Sequence, residues 1–442
     1  MATALFDGDG LRDFVAAGEW SPPPVFVGRT EAIADIEAAA RRAWKPGAAS
    51  HGEPKATRIL HGAPGAGKSS ILAELAARCG ASRGAGAPRI LLLNSVHFAD
   101  ISAVYRSLAS AVNHREAERL FESARRELSA GGALKLLGSG VDGGLDRDRA
   151  QGAPVPTMSA FAEWVSGWTG PDSTQASPWN FPLIVAIDEA QRLPPGDRTP
   201  AAYFVQTIHE ATKGLPLTLV LAGLGDTQDR AQKMGLTRGL KLYEVGRLSV
   251  EETDELMRGC CTRSALRADG SEPFLAELAA GAEGWPRHLH FALQALGEEA
   301  LAADGDLGRV SWSAAAKRAA ESRLRYYRAQ QSNEMEDATP LIAMALGKMG
   351  EQSSRFKLKR LLAKLAAEHP DASLPAGMTV DSFYDHLTHR GALQERADAS
   401  VHCPIPSFRS FLIEEGKKAL GFDPLRARPP ESKDPGDSPS PY

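Results

Sequence analysis

Residues 62–69 carry the glycines, lysine and serine that binding of an oligophosphate requires. The segment fits G-x-x-x-x-G-K-[ST] at every fixed position. Because Gly62, Gly65 and Gly67 have no Cβ, the loop can curl and point consecutive backbone N–H groups at one anion. The apolar stub Ile59-Leu60 precedes the loop and a helical pattern follows it, which is the strand–loop–helix context that the motif needs. The segment therefore predicts a nucleotide-binding loop.

The chemistry of this loop assigns a role to its last residues. Lys68 is expected to reach the β- and γ-phosphates of ATP, and the Ser69 hydroxyl to ligate Mg²⁺. The N-terminus of the following helix adds partial positive charge. Contacts with ATP are expected from the whole loop, namely Gly62, Ala63, Pro64, Gly65, Ala66, Gly67, Lys68, Ser69 and Ser70.

A pair of carboxylates ends the apolar run 182–187. Asp188 is expected to hold Mg²⁺, and Glu189 to polarise the attacking water as a general base. The alternative is a buried strand with an acidic turn, which is a common pattern. The presence of the phosphate-binding loop favours the catalytic interpretation.

The composition is that of a globular, cytoplasmic protein. A length of 442 residues predicts two or three domains. A net charge of −4 excludes the overall positive charge typical of nucleic-acid-binding proteins, so any contact with DNA must come from a local basic patch. The four cysteines lack metal or redox spacing, which indicates reduced thiols. No apolar run of 18 residues occurs, so no membrane partner is expected.

Apolar runs alternate with helical patterns between the two sites. Strands are expected at 59–60, 89–94, 182–187, 217–222 and 240–245, with helices between them. This order predicts an α/β fold with a parallel sheet, whose ligands bind at the carboxyl ends of the strands. Both candidate sites end strands, as that geometry demands.

The rest of the chain differs in composition from this core. Residues 115–180 form a Gly-rich insertion with one helix candidate, 161–168, and residues 249–330 form a small helical domain. Three helices and two short strands then give the outline of a winged helix. The predicted segments are an extension (1–24), the P-loop core (25–248), the helical lid (249–330), the winged-helix domain (331–418) and a disordered tail (419–442).

These features together resemble the AAA+ ATPases of the clade that unites origin-recognition initiators, transposition ATPases and STAND-type signalling NTPases. Phe26-Val27-Gly28-Arg29 resembles the opening motif of that clade, so Val27, Gly28 and Arg29 are implied to line the adenine pocket. Gly284-Trp285-Pro286-Arg287 resembles sensor 2, which implies that Arg287 contacts the γ-phosphate from the lid. Residues 187–191 resemble the Walker B motif of transposition and secretion-associated ATPases.

Two departures from the family pattern concern the catalytic residues. The strand ending at Ala222 is not followed by the polar residue that is usual at the sensor 1 position. Asp226 and Thr227 are the candidates to take its place. The insertion also places Lys68 and Asp188 unusually far apart. The resemblance implies an arginine finger just before the last strand, with Arg238 the first choice and Arg230 the second. The alternative for Arg238 is a solvated surface arginine.

Two functional classes stay open at this point. The first is a Mg²⁺-dependent ATPase switch, a homo-oligomer that holds DNA through its winged helix. Its support is local basic charge at Lys317, Arg318, Arg323, Arg325, Arg328, Arg355, Lys357, Lys359, Arg360 and Lys364. The third helix of the winged-helix block, 380–387, is acidic and poorly suited to DNA. The second class is therefore a signalling NTPase whose winged helix binds a separate protein partner.

Overall fold

The chain forms two compact units, residues 1–323 and 324–442. The computed structural model describes residues 7–16, 25–44, 57–82, 87–112, 161, 164–165, 181–194, 196, 198–212, 215, 217–267, 270–369, 372–396 and 398–420. The predicted core falls in the first unit, whereas the predicted lid, 249–330, extends seven residues past the boundary at residue 323. The finer division into five segments stays a prediction.

A five-stranded parallel sheet forms the centre of the first unit. Its strands are β1 (Thr57–His61), β2 (Arg89–Asn94), β3 (Leu183–Asp188), β4 (Leu217–Gly223) and β5 (Leu240–Glu244). They lie in the order β2-β3-β4-β1-β5. Apolar residues make up most of β3 and β4, which suits the middle of the sheet, where both faces are covered. The predicted α/β class and parallel sheet are confirmed.

Helices surround this sheet and continue beyond it. The first six are α1 (Gly8–Ala16), α2 (Thr30–Trp44), α3 (Lys68–Ala81), α4 (Ile101–Val112), α5 (Pro200–Ala211) and α6 (Thr227–Lys233). The predicted lid supplies α7 (Val250–Arg263), α8 (Glu272–Ala280), α9 (Pro286–Ala302) and α10 (Trp312–Gln330). The boundary between the two units falls within α10.

The core beside β3 includes part of the predicted insertion. Phe161 is fully buried and stacks on Tyr105 of α4 and Phe204 of α5, with ring centroids 4.3 and 5.5 Å apart. Trp164 packs against the same cluster. Val165 is buried in this cluster as well. The other residues of the predicted insertion, 115–180, and of its helix candidate lie outside the described residues.

Helix α1 packs on α9, a contact that no local pattern predicted. Leu11 and Phe14 are buried in the same apolar cluster as the lid helices. A Cβ at Gly297 would lie 2.8 Å from Val15 and 3.2 Å from Leu11, so only glycine lets the two helices approach this closely. The first lid helix, α7, begins with a capping box between Ser249 and Glu252.

The second unit contains helices and a small antiparallel sheet. Its elements are α11 (Asn333–Asp337), α12 (Thr339–Met349), β6 (Gln352–Ser354), α13 (Arg355–Glu368), α14 (Val380–His389), β7 (Gln394–Glu395), β8 (Ser400–His402) and α15 (Pro406–Ala419). The three expected helices and the hairpin are present, and β6 pairs with β8 as an additional strand. The assignment as a winged helix stays a prediction, and the predicted tail lies outside the described part of the chain from residue 421 onwards.

Helices α12 and α15 pack through a glycine, which gives a test of the second unit's stability. A Cβ at Gly416 would lie 2.2 Å from the Ala343 Cβ and 2.8 Å from the Thr339 carbonyl oxygen. We expect Gly416→Ala to destabilise the unit by about 1–3 kcal/mol, since the helices must separate. In the control Gly347→Ala, nothing lies within 4 Å of the new Cβ. That change adds helix propensity and is expected to stabilise by up to about 1 kcal/mol. Thermal unfolding of both variants measures the difference, and equal midpoints would contradict the packing argument.

Candidate nucleotide-binding site

The predicted phosphate-binding loop connects β1 to α3 at the carboxyl edge of the sheet. A Cβ at Gly62 would lie 2.1 Å from the Val245 carbonyl oxygen, so the loop can start here only with glycine. Gly67, the N-cap of α3, has φ 95° and offers no side-chain cap to the first-turn N–H groups. Those N–H groups form the anion-binding end of a helix of 14 residues.

Lys68 is buried inside this loop. Its ammonium group donates to the Gly62 and Ala63 carbonyl oxygens, at 2.8 and 2.9 Å. Burial lowers the pKa of Lys68 to about 8, against the opposing effect of the Asp188 and Glu189 carboxylates. A phosphate group that enters the loop would replace the two carbonyl oxygens as acceptor of these hydrogen bonds.

The two predicted metal ligands meet at the first turn of α3. The Ser69 hydroxyl donates to Asp188 Oδ2 at 2.6 Å, across a sequence separation of 119 residues. The other carboxylate oxygen, Oδ1, accepts from the Glu189 N–H at 2.9 Å. A hydroxyl and a carboxylate oxygen are hard ligands of the kind that Mg²⁺ takes.

Glu189 turns out of β3 in a left-handed conformation, with φ 56°. Its Oε2 accepts from Gln191 Nε2 at 3.1 Å and lies 2.9 Å from Arg192 Nε. Sequence reasoning assigned no role to Gln191. The available signal was the position of this glutamine two residues after Glu189, close enough in sequence for its amide to contact the carboxylate.

The predicted sensor 2 segment lies directly on the loop. The Arg287 N–H donates to the Gly65 carbonyl oxygen at 3.2 Å, and the Leu248 N–H donates to that of Gly284 at 2.8 Å. The Arg287 guanidinium lies 5.3 Å from the centre of the Phe291 ring. The structure thus brings the start of α9 onto the phosphate-binding loop. The contact of the Arg287 guanidinium with the γ-phosphate stays a prediction.

The predicted adenine-pocket residues lie between the end of the sheet and the first lid helix. Val27 is buried in the lid cluster. Gly28 has φ 67°, and a Cβ there would lie 2.3 Å from the Glu252 carboxylate. Arg29 donates to the Gly246 carbonyl oxygen. Burial lowers the pKa of Arg29, with the Glu252 charge acting in the opposite direction.

The remaining predicted residues are not joined to this cluster. Arg238 is exposed just before β5 and has no hydrogen bond or ion pair with any residue in the described ranges. Arg230 lies 4.0 Å from Asp226. The Thr227 hydroxyl donates to the Leu224 carbonyl at 2.6 Å, within its own turn. The finger and sensor 1 assignments therefore stay predictions.

The site as a whole fits a magnesium nucleotide. It combines a loop whose first glycine has no space for a Cβ, an uncapped helix N-terminus, a buried ammonium group and a hydroxyl–carboxylate pair. The parallel sheet places this loop, after β1, and the acidic pair at the end of β3 along one edge.

Solved structures of origin-recognition proteins share this fold. The ORC2 protein of Aeropyrum pernix in its ADPNP–ADP complexes has a TM-score of 0.50 and 16% identity, over 95% of this chain and 99% of that chain. Its ADP form has the same TM-score and identity, over 93% and 97%. The predicted resemblance is thereby confirmed at the level of the fold.

No model of a protein family matches the chain, and no curated protein does. Across the described ranges, no helix has both the length and the apolar character that crossing a bilayer would need.

Proposed function

We propose that this protein is a Mg²⁺-dependent ATPase of the AAA+ type. The observation that carries the proposal is the 2.6 Å contact between Ser69 Oγ and Asp188 Oδ2, beside the buried ammonium group of Lys68. The similar ORC2 structures contain ADP and ADPNP, which supports a nucleotide ligand here.

In this proposal each side chain acts on a defined part of the substrate. Lys68 donates to phosphate oxygens from a buried position, where low local dielectric strengthens the interaction. Ser69 and Asp188 hold Mg²⁺, which when bound offsets the charge of the phosphates. Glu189 takes a proton from the attacking water, and Arg287 donates to the γ-phosphate from the lid.

Hydrolysis by the purified chain tests the proposal directly. We expect release of phosphate from ATP with Mg²⁺ and its loss when EDTA removes the metal, since the hydroxyl–carboxylate pair then has no cation to hold. Phosphate release is measured with a coupled colorimetric assay. A rate unaffected by EDTA would contradict the assignment of Ser69 and Asp188 as metal ligands.

A homo-oligomer with shared sites is the arrangement that an arginine finger requires. Arg238 suits this role because it is exposed and makes no ion pair with any described residue of its own chain. A neighbouring subunit would then receive its guanidinium group. Arg230, which lies beside Asp226, is the weaker choice.

We propose DNA as the partner of the second unit, bound through one face of α13. Lys357 and Arg360 are exposed there, and in the described part of the chain neither forms an ion pair. Phe356 beside them is 74% exposed. Cations that are not already paired are available to replace counterions on phosphates.

Other members of the predicted basic cluster are engaged within the protein. Lys359 lies 2.6 Å from Asp381 of α14, and Arg355 lies 3.4 Å from Asp385. In the first unit, Arg318 pairs with Glu298 and Glu299, both at 2.8 Å. The acidic α14 therefore neutralises part of the cluster, which limits the expected DNA contact to few phosphates.

Two matched double variants test the DNA partner. Lys357→Gln with Arg360→Gln is expected to weaken binding to random duplex DNA and to reduce the salt slope by about two, because each phosphate contact contributes about 0.9. The control, Arg355→Gln with Lys359→Gln, removes the same charge from the paired positions and is expected to change the slope by less than one. Fluorescence anisotropy over a salt series measures both.

The unmodified protein provides the deciding result. If it ignores duplex DNA at low salt with ATP present, the DNA partner is wrong. The signalling alternative, in which the second unit binds a protein, then takes its place. The comparisons with known proteins give no support to that alternative.

A further inference from the structure

A buried glutamine joins the proposed catalytic carboxylate to the neighbouring strand. Gln191 is 3% exposed and lies in the turn that follows β3. Its Oε1 accepts from the Leu224 N–H at 3.2 Å, and its Nε2 donates to Glu189 Oε2 at 3.1 Å. A backbone N–H can only donate, so the amide oxygen must face Leu224 and the amide nitrogen must face Glu189.

The same peptide group that binds Gln191 also contacts the phosphate-binding loop. The Gly223 carbonyl and the Leu224 N–H belong to one peptide unit at the end of β4. That carbonyl accepts from the Gly62 N–H at 3.2 Å. One continuous series of hydrogen bonds therefore runs from the start of the loop, through a rigid peptide and the Gln191 amide, to the Glu189 carboxylate.

The end of β4 is shaped to receive this amide. A Cβ at Gly223 would lie 2.5 Å from Gln191 Oε1 and 2.2 Å from the Thr227 hydroxyl oxygen. Only glycine at this position leaves space for the glutamine side chain against the strand. A buried amide with both ends bonded restricts the rotamers of the groups it contacts.

We propose that Gln191 is the positioning residue for Glu189, and that it holds the carboxylate against the end of β4 from the turn after β3. This inference rests on the proposed ATPase function. Arg192 contacts the same carboxylate oxygen, but its side chain is 65% exposed and the contact is an ion pair within one turn. Among the residues that the structure describes, only Gln191 connects that carboxylate to β4 and to the loop.

Three variants separate positioning from a structural role. Gln191→Met keeps the bulk of the side chain and removes both hydrogen bonds. Gln191→Glu keeps an acceptor for the Leu224 N–H but at pH 8 has no donor for Glu189. The control, Gln206→Met, makes the same change where the amide instead bonds the Met234 carbonyl.

We expect both Gln191 variants to lower kcat by about 10- to 100-fold, the cost of a misplaced catalytic group. The dissociation constant for ATP is expected to stay within about twofold, since Gln191 is not among the loop residues. Gln206→Met is expected to lower the melting temperature at most. Tolerance of Gln191→Glu would overturn the proposal, because it would show that holding the Leu224 N–H suffices.

A double-mutant cycle with Glu189→Gln completes the test. If Gln191 acts through Glu189, adding Gln191→Met to Glu189→Gln lowers kcat no further, whereas damage to the fold would multiply the two losses. Multiplied losses overturn the inference and leave the ATPase function intact. Normal hydrolysis by Glu189→Gln alone overturns this inference and the role of Glu189 as base, whereas a lack of hydrolysis by the unmodified chain removes the proposed function itself. Should Gln191→Met fail to fold, the isosteric Gln191→Glu carries the same cycle.

Discussion

Replacing Lys68 with alanine is expected to abolish measurable ATP binding. The ammonium group is the one cation buried in the loop, where it donates two hydrogen bonds at 2.8 and 2.9 Å that phosphate oxygens would replace. Hydrogen bonds to charged groups contribute about 1.5–3 kcal/mol each. The loss of two corresponds to about 100-fold in affinity or more. Binding of a fluorescent ATP analogue measures this change.

The control for this variant is Lys233→Ala. Lys233 is exposed at the end of α6, so its removal changes the net charge equally without touching the loop. We expect the control to bind the analogue as the unmodified chain does, and the melting temperature of Lys68→Ala to show that the fold survives. Unchanged affinity in Lys68→Ala would remove the phosphate-loop assignment.

Glu189→Gln is expected to separate binding from turnover. The glutamine has the same shape, and its oxygen can still accept from the Gln191 amide, so ATP affinity is expected to stay within about twofold. An amide cannot accept the proton of the attacking water. Hydrolysis is therefore expected to slow by about 10²- to 10⁴-fold, the usual contribution of a positioned base.

Single-turnover hydrolysis with bound ATP distinguishes this effect from slow product release. Glu277→Gln on the exposed side of α8 is the matched control, and its rate is expected to equal that of the unmodified chain. Should Glu189→Gln turn over normally, Glu189 has a structural role only.

The sequence predicted the parts of this structure that depend on local pattern. Two patterns can be recognised from the residues of each segment alone. They are the glycines of the phosphate-binding loop and the apolar strands that end at Asp188 and Ala222. Since the carboxyl ends of parallel strands meet at one edge, the contact between Ser69 and Asp188 followed from the strand assignment. The parallel-sheet fold, which the solved ORC2 structures share, was predicted correctly for the same reason.

Features that depend on distant partners were not predictable in this way. The packing of α1 on α9 requires Gly297, which is remote in sequence and looks like any helical glycine. The basic pattern of α13 did not reveal that Lys359 and Arg355 pair with α14. Gln191 had no meaning until the Leu224 N–H was placed against it. In each case the residue type is visible in the sequence, but the residue that it contacts is brought there by the tertiary fold.

The junctions around the site are made by main-chain atoms. The Arg287 N–H donates to the Gly65 carbonyl oxygen. The Leu248 N–H donates to the Gly284 carbonyl oxygen, and the Gly62 N–H donates to the Gly223 carbonyl oxygen. Every residue except proline supplies such a donor, so Arg287 and Leu248 can be substituted while their hydrogen bonds persist, whereas Gly62, Gly223 and Gly284 have no space for a Cβ. Such a hydrogen bond does not depend on the side chain of the donor residue and is therefore little affected by changes of sequence there. Two chains can therefore share this architecture at 16% identity, where comparison of their sequences alone finds little in common.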